Sequence, residues 1–142
     1  MTPPSLRIVR RLPARPEEVF DAWIDAESLR VWMCPGDMRV RAVDVDARVG
    51  GGFRIVMRGA QGDVEHTGQY REIRRPERLV FTWTSRITAE RETLVTIELR
   101  AQGTGTELTL THELFPDDEA RRLHQGGWTS IVEKLAGHLT QR

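Results

Sequence analysis

Histidine, cysteine, tyrosine and serine are the side chains in this chain that could move a proton, hold a metal or attack a carbonyl. Their spacing decides what chemistry stays open. Histidine is the natural acid–base group near neutral pH, yet the four histidines, His66, His112, His124 and His138, show neither an HExxH pattern nor paired-ligand spacing, so no metal or cofactor is expected. Cys34 is the sole cysteine, which excludes an intrachain disulfide, and at a helix end it reads as a small apolar side chain. No serine lies in a nucleophile elbow, and Ser130 falls in a helical stretch without a base. Gly50-Gly51-Gly52 lacks the GK[ST] and the following helix of a phosphate loop, so it reads as a turn or bulge ahead of a strand. Acid–base work would have to rest on His112, Tyr70 or Glu72. The denser signal is aromatic: Trp32, Phe53, Tyr70, Phe81, Trp83 and Trp128 recur at positions that could line an apolar pocket.

Those rings need elements to hold them. Pro16 followed by Glu17 and Glu18 marks a helix start, with Val19, Phe20 and Trp23 on one face. A second short helix is expected from about Ala26 to Met33, stopped by Pro35-Gly36. Residues 5–12 alternate as a strand, and from Met38 to Phe115 the period is 2. Val40 and Val43 lie on opposite phases, which predicts a β-bulge near Ala42–Val43. GAQGD, RRPE, SRITAERE and QGTG read as hairpin connections, and half-apolar strands imply an antiparallel sheet with one wet face. After Pro116 the period returns to 3.6, placing His124, Trp128, Ile131, Leu135 and Leu139 on one stripe that must bury against the sheet. The expected class is α+β, as one domain over residues 1–142.

Centring the turns on Ala60–Gln61, Arg75–Pro76, Ala89 and Gly103–Thr104 aligns Phe53, Gly68, Trp83, Val95 and His112 in one inward row. The next row holds Tyr70, Phe81, Ile97 and Leu110. Gly68 beside Trp83 leaves bare backbone for an indole to cover. Gly126 and Gly127 each cost a helix interior up to about 1 kcal/mol against alanine. Two explanations stand: a close helix–sheet approach, or a gap kept open for a ligand. The expected cavity lining is Trp32, Phe53, Ile55, His66, Tyr70, Phe81, Trp83, Ile97, Leu110, His112 and Trp128.

Charge excludes other classes. Lys plus Arg total 21 against 21 for Asp plus Glu, which gives neither the basic excess of a nucleic-acid binder nor a polybasic membrane anchor. The N-terminus has no apolar h-region, and no stretch approaches the roughly 18 apolar residues of a membrane span, so a cytoplasmic location is expected.

An ordered set of motifs resembles a known family. It comprises Ala14–Trp23, Leu29-x-x-Trp32-x-x-Pro35-Gly36, Gly50-Gly51-Gly52-Phe53, Gly68-Gln69-Tyr70, Pro76–Trp83, and Gly127-Trp128 with Leu135. Over about residues 6–140 this is similar to the activator-of-heat-shock-protein-90-ATPase homologue group of the START-like, Bet v 1-like (SRPBCC) superfamily. The resemblance implies a helix-grip fold: a seven-stranded antiparallel sheet curved around a long C-terminal helix, two short helices between strands 1 and 2, and a cavity between sheet and helix. Superfamily members bind lipids, sterols, polyketides and plant hormones, and some catalyse cyclisation or hydrolysis. Eukaryotic activators carry a chaperone-engaging N-terminal domain; this chain begins at its first strand, and ATPase activation is not expected. The favoured reading is a binder of a small apolar or amphipathic molecule. A cavity enzyme, and an interaction module or homodimer, are the alternatives.

Overall fold

Strand β1 (Leu6–Leu12) and strand β2 (Arg39–Val45) lie at opposite edges of one sheet, so the chain between them has to cross the sheet's full width. The computed structural model, which describes residues 2–140, makes that crossing with helices α1 (Pro16–Ile24) and α2 (Ala26–Trp32). Proline at the first turn of α1 and acids behind it suit the exposed N–H end. Asp25 ends α1 and caps α2, its carboxylate accepting from the Ser28 N–H at 3.2 Å. Strands β3 (Gly52–Gly59), β4 (Gly62–Arg74), β5 (Arg78–Trp83), β6 (Thr93–Gln102) and β7 (Gly105–Glu113) then follow as neighbours. The sheet has seven strands, all antiparallel, in the order β1-β7-β6-β5-β4-β3-β2. Helix α3 (Asp118–Thr140) closes the inner face, burying Ala120, His124, Trp128, Ile131, Val132, Leu135, Ala136 and Leu139. This is the helix-grip arrangement.

The outer face is wet and laced with cross-strand pairs such as Arg78–Glu98 (2.9 Å) and Arg100–Glu107 (3.0 Å). Exposed pairs like these contribute little each; the inner face holds the fold. There Trp23 meets Trp32 edge-on at 4.8 Å and Phe53 meets Phe81 edge-on at 5.4 Å, both favourable ring geometries.

Two details of register differ from expectation. The bulge in β2 lies at Arg41, between Val40 and Ala42, one residue before the expected place. The β5–β6 connection turns two residues' worth earlier: Trp83 pairs with Thr93 and Phe81 with Val95, so Val95 and His112 share a row with Phe81 rather than Trp83. A short 3₁₀ turn at Arg86–Thr88, followed by Ala89 and Glu90 at φ of 57° and 60°, tightens the reversal. Neither residue is glycine, so composition carried no hint of it.

A second bulge, at Arg71, has a functional consequence. The register shifts between Tyr70 and Glu72, so Tyr70 and Ile73 both turn to the core while Glu72 faces out. Glu72 then pairs with Arg78 at 3.2 Å. It is not an inward acid.

Candidate functional site

The inner face is not uniformly filled. Beneath the first half of α3, at the sheet end away from the β1 edge, lies an apolar cavity of about 80 Å³. Its floor is Met57 of β3, Val64 and His66 of β4, and Trp83 of β5. One wall is α3, through His124, Gly127, Trp128 and Ile131. The other comes from two loops: Pro35 and Met38 ahead of β2, and Ile87 in the 3₁₀ turn. Leu123 stands at the mouth, 58% exposed.

Local chemistry fixes both loops. The Gly36 N–H donates to Ser130 Oγ on α3 at 2.7 Å, which pins the Pro35 loop to the helix and gives Ser130 a structural job. Cys34 Sγ donates to the Met38 carbonyl at 3.0 Å and accepts from Lys134 Nζ at 3.5 Å, so it stays a buried tether of the same loop. The 3₁₀ turn is held by a reciprocal cap, Ser85 Oγ accepting from Ile87 N–H and Thr88 Oγ1 from Ser85 N–H, each at 3.1 Å.

Of the two helix glycines, only Gly127 resolves in favour of a gap; Gly126 is exposed to solvent. A Cβ on Gly126 would meet nothing within 4 Å, and one on Gly127 only the Pro35 Cβ at 4.0 Å. No close helix–sheet approach requires either. Gly127 lines the cavity itself.

His66, Trp83 and Trp128 of the expected lining therefore come together. Phe53, Ile55, Tyr70 and Phe81 border a separate inner void of about 10 Å³, room for roughly one water. Trp83 borders both spaces and divides them. Trp32, Ile97, Leu110 and His112 line neither and pack in the core. The ring over Gly68 is that of Phe53, not the Trp83 indole: a Cβ there would overlap Phe53 and the Thr82 carbonyl. The expected lining left out Pro35, Met38, Met57, Val64, Ile87, Leu123, His124, Gly127 and Ile131; of these, Met38, Met57, His124 and Ile131 carried an inward phase that could have flagged them.

His112 shows why inward polarity is not availability. The indole Nε1 of Trp128 can only donate, so at 2.9 Å it fixes His112 Nδ1 as an acceptor. The proton then sits on Nε2, which donates to Thr93 Oγ1 at 2.7 Å, and that hydroxyl donates to the Trp83 carbonyl. Every polar atom of the ring is used. Burial, aided by His124 nearby, drives its pKa well below the usual range, so it remains neutral. Tyr70 is also unsuited to proton transfer, since burial and the Asp46 charge push its hydroxyl up to about 12.

His66 differs. It is 4% exposed, stacks on Trp83 at 4.8 Å between centroids, and its Nδ1 has no hydrogen-bond partner. Desolvation, with His124 and Arg86 acting the same way, lowers its pKa to about 4 against hydrogen bonding to the backbone of Ile55 and Val64. Trp83 Nε1, on an indole 2% exposed, is likewise unpartnered. His124 donates Nδ1–H to the Ala120 carbonyl at 2.8 Å, and burial lowers its pKa. Among the described residues no group of three or more His, Cys, Asp or Glu is placed to hold a metal.

Comparison with known proteins agrees with this architecture. The family of Activator of Hsp90 ATPase homolog 1-like proteins matches over residues 13–140. The chain belongs to this family. The crystal structure of the AHSA1 protein of Silicibacter pomeroyi is similar at 30% identity, covering 97% of this chain and 99% of that one with a TM-score of 0.85. A Chromobacterium violaceum protein superposes with a TM-score of 0.88 at 26% identity, covering 95% and 96%. One from Nitrosomonas europaea gives 0.82 at 25% identity over 96% and 94%. No curated protein matches. No helix among the described residues is long and apolar enough to cross a membrane.

Proposed function

We propose that this family member binds a small apolar or amphipathic molecule under the first half of α3. The observation that carries the reading is an apolar cavity bordered by Gly127, where an added side chain would meet open space. Empty volume at a helix position left without a side chain suits a binding site better than a defect in an otherwise dense core.

Size limits the occupant. About 80 Å³ is smaller than the roughly 150 Å³ that takes up benzene in an engineered apolar cavity. One end of the ligand enters and the rest extends past Leu123 at the mouth. The contact set is then His66, Trp83 and Trp128, joined by Met57, His124 and Gly127. Phe53, Ile55, Tyr70 and Phe81 would be reached only if Trp83 moved. No catalytic role is assigned to His112 or Tyr70, whose polar atoms are committed or buried away from the cavity. A cytoplasmic binder suits the single buried thiol.

A thermal-shift and native mass-spectrometry screen with short alcohols, ketones, alkanes and fatty acids tests this on the wild type and on Gly127→Leu. A ligand at 100 times its Kd stabilises the wild type by about 2.7 kcal/mol, and Gly127→Leu, which fills the space, abolishes that gain. No response across the panel, or an equal response in the variant, refutes the site.

A further inference from the structure

Resting on the reading of that cavity as a binding site, we infer that Trp83 is its specificity-determining residue: the indole is the end wall that limits the ligand to a short apolar end and shuts off the inner void. Among the described residues Trp83 alone borders both the cavity of about 80 Å³ and the void of about 10 Å³. Toward the cavity it meets His66 at 4.8 Å and Trp128 at 5.1 Å between ring centroids. Toward the void it meets Phe53 at 5.9 Å and Phe81 at 6.3 Å. An apolar chain that enters beneath α3 therefore runs into this ring before it reaches the space that Phe53 and Phe81 border.

The buried indoles of this region are held differently. Trp128 Nε1 donates to His112 Nδ1, and Trp32 Nε1 donates to Ser28 Oγ at 3.2 Å, so those two rings are tied by polar contacts. Trp83 Nε1 has no partner, and packing alone keeps its ring in place. The Trp83 backbone is secured independently: its carbonyl accepts from Thr93 Oγ1, and the residue pairs with Thr93 in the β5–β6 ladder. A smaller apolar side chain at this position gives up ring packing and no hydrogen bond. What changes is volume. Truncating a core side chain leaves space that its surroundings refill only in part, and here that space would join the cavity to the void.

The consequence for a ligand is a limit on length. Each methylene that leaves water for an apolar lining strengthens binding about fourfold. In the wild type that gain ends when the chain end meets the indole. Further methylenes stay at the mouth beside the exposed Leu123 and add little. The site thus prefers molecules with a short alkyl end over long-chain ones.

The experiment measures Kd for straight-chain alcohols from propan-1-ol to octan-1-ol, by ¹H–¹⁵N NMR titration of the full chain at pH 7.5. The wild type is compared with Trp83→Leu, Trp83→Phe and Leu29→Ala. In the wild type the gain of about fourfold per methylene should stop at a definite chain length. Trp83→Leu should carry the gain at least one methylene further; Trp83→Phe, which keeps a smaller ring, should extend it too and decides the matter if the leucine variant does not fold. Leu29→Ala enlarges the inner void from the α2 side and leaves the indole in place, so its limit should match the wild type. An unchanged limit in the folded Trp83 variants, or an equal extension in Leu29→Ala, overturns the inference and leaves the cavity reading intact. A gain that runs unbroken to octan-1-ol in the wild type overturns it as well. Failure of every alcohol to bind the wild type overturns the cavity reading itself.

Discussion

Replacing Gly126 with alanine should stabilise the protein, and the size of the gain follows from where the residue sits. Gly126 lies well inside α3, which runs from Asp118 to Thr140, so neither end can absorb the change by fraying. It does not adopt a left-handed φ, and an added Cβ would have no atom within 4 Å. The expected effect is therefore the bare helix-propensity difference, a gain of about 1 kcal/mol. For a chain of this length that raises Tm by about 3 °C. Gly127→Ala adds to the same term the burial of one methyl in the cavity, about 0.8 kcal/mol. Its total is then about 1.5–2 kcal/mol. Urea denaturation with linear extrapolation measures both, and unchanged m-values would confirm that the unfolded states are comparable. Loss of stability at the exposed Gly126 would refute the propensity argument, and loss at Gly127 would mean that α3 already packs tightly against its surroundings there. The gap, and the site built on it, would then not exist.

Gly68→Ala should do the opposite and destabilise by more than about 3 kcal/mol, because the new methyl would overlap both the Phe53 ring and the Thr82 backbone carbonyl, which cannot step aside; a soluble variant with an unchanged urea midpoint would refute the packing. His112→Leu should cost about 2 kcal/mol or more by stranding the Trp128 indole N–H, read as a fall in urea midpoint. Acid should weaken the fold through its histidines. His66 sits at about 4, and His112 and His124 lie below the ordinary 6.5, so the native state stays neutral where the unfolded chain protonates. Stability from these groups is complete above about pH 6.5 and declines from there toward pH 4, by at most about 1.4 kcal/mol per pH unit for each histidine. His66→Leu should flatten that decline, and an identical slope in the variant would show that His66 is not buried neutral.

The elements were legible in the residues because each is a local matter. Period 2 in β6, period 3.6 in α3 and the proline start of α1 depend on neighbours a few positions away, and the hairpin at Ala60–Gln61 turns where its glycines allow. The family's ordered motifs were legible for the same reason. Where the open space lies was not. It depends on how much volume the rings fill once they meet, and Phe53, Phe81, Trp23 and Trp128 filled the middle of the sheet almost completely. The bulge at Arg71 and the glycine-free reversal at Ala89 and Glu90 reassigned which side chains share a row, without any signature in composition. Patterning thus fixed which faces turn inward, because facing is a property of the backbone. Only tertiary packing decided which inward polar atoms find partners: His112 did, through Trp128 and Thr93, while His66 Nδ1 and the Trp83 indole N–H were left without one.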